Sequence, residues 1–187
     1  MYSTQDFRKG LKIEYNNKPW NIVEFQHVSP GKGNAFCRTR LKNLETGQVV
    51  EVTFKSGEKV AIPDVEVREM QYLYKEGDRW TFMDVGNFEQ TTLSDDEVGD
   101  AANYMVENRT ARVTFFRSRA VAVDVENHVD LKVIETQPNI KGDTSGGGGK
   151  PAKLETGLSI QVPFHIKEGD VLRIDTRTNE YLSKVQA

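Results

Sequence analysis

Cysteine is nearly absent. Cys37 stands alone among 187 residues, so no internal disulfide can form, and a reducing cytosol is the expected compartment. Long apolar runs are missing too. The longest span only a few residues, which excludes a transmembrane helix and membrane partners. The first residues, Met1-Tyr2-Ser3-Thr4-Gln5-Asp6-Phe7-Arg8, hold no apolar signal core. There are only three histidines, His27, His128 and His165, scattered with no HExxH spacing, and each reads as a strand residue at or near the surface. Cys37 has no neighbour at zinc spacing. No G-x-S-x-G is present. Ser145-Gly146-Gly147-Gly148-Gly149-Lys150 resembles a phosphate-binding loop superficially. Thr144 stands where its first glycine belongs, and Pro151 replaces the hydroxyl that would hold magnesium, so nucleotide hydrolysis is rejected. No catalytic constellation, metal site or cofactor site emerges, and the chain is read as a non-enzyme.

The net charge is also small, −3, which argues against coating nucleic acid by charge alone. The total conceals a gradient. Residues 1–63 carry ten basic and six acidic side chains, a net +4. Residues 64–127 carry seven and fourteen, a net −7, and residues 128–187 carry eight of each. The ends and the middle are therefore expected to face different partners.

What is present is mostly period-two alternation. Leu11, Ile13 and Tyr15 alternate with polar residues, as do Val50, Val52 and Phe54, then Val121, Val123 and Val125. Leu158, Ile160, Val162, Phe164 and Ile166 continue the habit, which places Pro163 at an edge or a bulge. One stretch reads as helix. Ser94 and Glu97 form a capping box with a Leu93–Val98 staple, and the helix is expected to be short, ending near Asn108. Lys75-Glu76-Gly77-Asp78 recurs as Lys167-Glu168-Gly169-Asp170, and Arg8-Lys9-Gly10 stands in a similar context. Each precedes a strand, a polar turn and an aromatic strand, which points to three related small β-barrels. Breaks at Ile62-Pro63-Asp64 and near Glu126-Asn127-His128 divide the chain into 1–63, 64–127 and 128–187.

Two loops stand out. Ser29-Pro30-Gly31-Lys32-Gly33-Asn34 places Lys32 between glycines at a hairpin tip. Such a residue is either a solvated turn lysine or an amine held out toward an anionic partner or a modifying enzyme. Lys141-Gly142-Asp143-Thr144-Ser145, four glycines and Lys150 form the second loop. It is either a flexible linker or an excursion from a barrel, whose backbone amides suit an anion or a base.

On these motifs the chain resembles bacterial elongation factor P over essentially its whole length. The resemblance rests on Pro30-Gly31-Lys32-Gly33 with Ala35-Phe36, on Lys141-Gly142-Asp143-Thr144 with Gly148-Gly149-Lys150-Pro151-Ala152, and on Gly157 through Pro163 to Gly169. Phe54-Lys55-Ser56 and Asp175-Thr176-Arg177 with Tyr181 also match, while Asn34 replaces a glutamine common in the family.

The resemblance implies an all-β, L-shaped monomer outlining tRNA, with a KOW-like barrel followed by two OB-fold barrels. It implies a cytoplasmic factor that binds both ribosomal subunits between the P and E sites and speeds peptide bond formation at consecutive prolines. Lys32, extended by a lysine-modifying enzyme through β-lysylation, would lie beside the acceptor end of the P-site tRNA. Pro30, Gly31, Gly33 and Asn34 would hold it there. Gly142, Asp143 and Thr144 would lie near mRNA in the E site. Two alternatives remain. One is a paralogue with different client sequences. The other is an OB-fold module for single-stranded RNA or DNA, stacking bases on Trp80, Phe82, Phe115 and Phe116.

Overall fold

A computed structural model describes residues 1–138 and 148–185. The chain's regular structure is almost entirely strand. The first strands are β1 (Tyr2–Ser3), β2 (Lys12–Tyr15), β3 (Lys18–Val28), β4 (Phe36–Asn43), β5 (Val49–Lys55) and β6 (Lys59–Val60). Strands β2 to β5 form an antiparallel sheet in sequence order, and β1 pairs with β6. Period-two burial shows why. On β4, Cys37, Thr39, Leu41 and Asn43 are buried, while Arg38, Arg40 and Lys42 face solvent. Of the buried residues, Cys37 and Leu41 join Phe7, Leu11, Ile13, Trp20, Ile22, Phe54 and Val60 in one core. Phe54 meets Phe7 and Tyr15 edge-on, at centroid distances of 5.4 and 5.5 Å.

Next come β7 (Val65–Glu76), β8 (Arg79–Asp84), β9 (Gln90–Ser94), β10 (Thr110–Phe116) and β11 (Arg119–Asp124), in the order β11-β10-β7-β8-β9. The helix α1 (Asp95–Val98) lies between β9 and β10. Its capping box is as read from sequence: Glu97 N–H donates to Ser94 Oγ at 3.2 Å, and Ser94 N–H donates to Glu97 Oε1 at 3.1 Å. The helix is shorter than expected. It stops at Val98, because Gly99 turns to φ +59°, and a 3-10 stretch carries the chain to Tyr104 instead of Asn108.

The last strands are β12 (His128–Thr136), β13 (Lys150–Leu154), β14 (Ser159–Val162), β15 (Val171–Asp175) and β16 (Glu180–Val185), in the order β14-β13-β12-β15-β16. Here the alternation misled. The strand expected through Ile166 ends at Val162, since Pro163 has no N–H to continue the ladder. Ile166 still reaches the core, from a turn, alongside Leu131, Leu154, Leu172 and Ile174.

Packing divides the chain into two compact units. One comprises Met1–Arg68, Thr91–Leu93 and Val113–Ala122, and the other Glu69–Gln90, Ser94–Arg112 and Val123–Ala187. No helix among the described residues is long and apolar enough to cross a membrane.

Candidate functional site

The β3–β4 hairpin builds the site. Its ladder runs from Trp20↔Asn43 to Val28↔Phe36, with a bulge between Ile22 and Glu24. Residues 29–35 then cross from Val28 to Phe36. Ser29, Pro30, Gly31, Lys32, Gly33 and Asn34 are all exposed. Lys32 thus sits in the middle of the crossing, as its sequence context predicts. Among the described residues, no ion pair or hydrogen bond engages its ammonium.

The backbone of the loop is specified locally. Gly33 adopts φ +106°, a conformation that a β-carbon opposes, and Pro30 Cγ lies 3.9 Å from where that carbon would be. Proline fixes its own φ on the ascending side. Lys32 is therefore flanked by a stiff residue before it and a glycine-dependent bend after it. Below the loop, Ala35 C=O accepts from Ser56 N–H at 3.0 Å, which ties the descending limb to the end of β5.

The sequence reading missed the face beneath this tip. Arg38, Arg40 and Lys42 project outward from β4, and exposed Lys55 pairs in register with Phe36. Arg38 sits 5.9 Å from the Phe36 ring centroid, and Arg40 approaches Glu24 at 3.5 Å. The period-two spacing of the three β4 cations was visible in the sequence. It gives the net positive first third a definite surface, suited to phosphate.

Other candidates resolve differently. His27, His128 and His165 are exposed, and none joins a group able to hold a metal among the described residues. Cys37 is fully buried, and desolvation pushes its thiol above the usual range despite a hydrogen bond from the Gln26 backbone. Trp80, Phe82, Phe115 and Phe116 are all buried, so these rings fill cores and present no stacking platform. Gly142, Asp143 and Thr144 lie outside the described residues. Among the described residues that flank them in sequence, Thr136 Oγ1 donates to Pro151 C=O at 2.9 Å, and buried Lys150 donates from Nζ to Gln137 C=O at 2.5 Å.

Comparison with known proteins fits this architecture. Residues 3–60 match the elongation factor P KOW-like domain, 65–123 the elongation factor P OB domain, and 129–184 the elongation factor P C-terminal domain. Elongation factor P of Bdellovibrio bacteriovorus is 54% identical over 185 residues, covering 99% of this chain and 98% of that one. The protein of the same name from Carboxydothermus hydrogenoformans is 51% identical over 185 residues, covering 99% and 100%. Among solved structures, eukaryotic translation initiation factor 5A from Methanococcus jannaschii is similar in fold, with a TM-score of 0.55 at 19% identity. That match covers 65% of this chain and 92% of the other. The all-β reading, with KOW-like and OB domains, is therefore borne out. The chain belongs to the elongation factor P family and is a translation factor, not an enzyme.

Proposed function

We propose that this factor binds the ribosome between the P and E sites, contacts both subunits, and stimulates peptide bond formation where consecutive prolines stall it. The observation that carries the reading is Lys32, exposed at the centre of the β3–β4 crossing and unpaired among the described residues. The identity of the chain to relatives named elongation factor P over nearly its full length supports it.

The mechanism is positioning. Proline is a sterically constrained partner in peptide transfer, and the reactants settle away from attack geometry. A compact ammonium set against the acceptor-end backbone of the P-site tRNA stabilises the productive arrangement, and the ribosome makes the bond. Pro30, Gly31, Gly33 and Asn34 hold the tip, while Arg38, Arg40 and Lys42 meet neighbouring phosphates. A modifying enzyme adds β-lysine to Lys32, giving further reach and a second amine. Gly142, Asp143 and Thr144 lie near the E-site codon, and residues 1–63, 64–127 and 128–187 act as three domains. The factor works as a cytoplasmic monomer without a bound cofactor.

Reconstituted translation of a message encoding consecutive prolines tests this. The wild-type protein relieves the stall, and Lys32→Ala drops product to near the level without factor. Relief by Lys32→Ala equal to wild type would overturn the assignment. Intact-mass measurement with fragmentation of the Lys32 peptide checks the modification.

A further inference from the structure

The turn joining β8 to β9 displays an aromatic ring that the fold does not use. Phe88 is 70% exposed and holds φ +64°. A left-handed backbone brings a β-carbon against the adjacent carbonyl, so a bulky residue there is strained. Exposure of the ring returns almost no burial free energy. Both effects oppose folding, so neither accounts for phenylalanine at this position. Val85, 46% exposed, lies in the same turn.

The turn is also held rigidly. Asp84 Oδ1 accepts from Gly86 N–H at 2.7 Å and from Asn87 N–H at 3.2 Å. Asn87 Oδ1 accepts from Glu89 N–H at 2.9 Å, and Asp84 C=O accepts from Phe88 N–H at 2.9 Å. An aromatic residue fixed in advance on a stapled tip loses little freedom when it docks, which is what a binding anchor needs.

Charge selects the partner. Residues 80–108 carry seven carboxylates and no lysine, arginine or histidine. Lys75 offsets one of them, Asp95, at 3.4 Å. At the turn itself Asp84 and Glu89 flank Phe88, and the β8–β9 connection contains no lysine, arginine or histidine. Base-stacking aromatics work inside positive grooves, which this acidic turn does not supply. A protein surface rich in lysine and arginine, with an apolar recess, complements it instead. We infer that the β8–β9 turn is a docking tip, with Phe88 inserting into an apolar recess on a basic protein. Given the ribosomal reading above, on which this rests, the partner is a ribosomal protein and not ribosomal RNA.

Full-length protein carrying p-benzoylphenylalanine at position 88 is irradiated on purified ribosomes, and co-sedimentation of the variants is measured alongside. The expected crosslink is to a basic ribosomal protein. Phe88→Gly weakens ribosome binding about tenfold or more without lowering Tm, because glycine relieves the φ strain. Phe88→Tyr, which keeps the ring, binds like wild type. A crosslink to RNA, no crosslink from co-sedimenting protein, or unchanged affinity in Phe88→Gly overturns the inference while leaving the Lys32 reading intact. Failure of the wild-type protein to co-sediment removes the ribosomal reading itself, and this inference with it.

Discussion

Trp80 donates its indole Nε1–H to Asp95 Oδ1 at 2.7 Å, and Lys75 Nζ approaches the same oxygen at 3.4 Å. The ammonium also lies 4.9 Å from the Trp80 ring centroid. Lys75 and Trp80 are register partners across the β7–β8 hairpin, and Asp95 opens α1. The indole bond, more than the lysine charge, holds the Asp95 carboxyl below the ordinary aspartate range.

A carboxyl whose pKa is lowered by folding stabilises the fold above the ordinary value, and that contribution fades as pH falls through the lowered one. Carbon NMR of the Asp95 carboxyl should therefore show a midpoint below about 3.9. In Trp80→Phe the midpoint should rise back toward that figure. A wild-type midpoint at or above it would show that the indole bond is not kept in solution.

The two glycines beside Lys32 should respond differently to alanine. Gly31 holds its part of the tip in a backbone conformation open to other residues, with nothing within 4 Å of a built β-carbon and no left-handed φ, so Gly31→Ala is expected to keep the tip in place and match wild type. Gly33 has room for the atom but not for the backbone, at φ +106°. Alanine there costs about 1–2 kcal/mol. An exposed loop sheds such strain by rearranging, which moves Lys32. The polyproline translation assay should show Gly33→Ala reduced about tenfold, with Tm nearly unchanged. Equal activity of the two variants would show that the bend does not set the tip.

These loops also show what was legible. The Pro-Gly-Lys-Gly run announces an exposed tip because each residue has a local conformational reason to be there. The Ser94–Glu97 box was readable for the same cause. The repeated Lys-Glu-Gly-Asp does precede a strand, a turn and a second strand at both places, but its copies are not one turn type. At residues 75–78 it closes the β7–β8 hairpin, with Glu76 opposite Arg79. At residues 167–170 it forms a turn in which Asp170 N–H donates to Lys167 C=O and Gly169 N–H donates to Val133 C=O. Its geometric counterpart is Arg8-Lys9-Gly10-Leu11, where Leu11 N–H donates to Arg8 C=O and Gly10 N–H donates to Ile22 C=O. The tetrapeptide fits either turn, and the distant strand that supplies the carbonyl decides between them. The same repeat puts Phe88 in the aromatic strand after the Gly86-Asn87 turn, but β9 begins only at Gln90 and leaves Phe88 exposed in the turn.

Asp170 carries a second acid-sensitive link. Lys167 N–H donates to its Oδ2 at 3.0 Å, and Lys184 Nζ lies 3.3 Å from Oδ1. The backbone bond first, and Lys184 after it, hold the carboxyl below its usual range. Its contribution is complete above the ordinary aspartate value and disappears as pH falls through the depressed one. Calorimetry of wild type and Asp170→Asn should show the largest Tm gap between pH 5 and about 7, closing below roughly pH 4. A gap that persists unchanged into strong acid would mean that the cost of the substitution is steric and not ionic.

Gly149 separates close approach from backbone conformation. A β-carbon at this position would lie 2.3 Å from Val162 C=O oxygen and 3.1 Å from its carbon, both backbone atoms in the paired strand. Neither can rotate away, as a side chain would. Alanine must therefore pry β13 from β14 where Lys150 pairs with Val162, next to core residues Ala152 and Ile160. Overpacking of this kind costs about 2–3 kcal/mol, or roughly 5–10 °C in Tm for a chain of this size. Gly157 is the control, since it holds φ +91° with nothing within 4 Å of its built β-carbon. Gly157→Ala should cost only the conformational strain, about 1 kcal/mol. If the two variants melt together, the β13–β14 contact is looser in solution than the 2.3 Å approach requires.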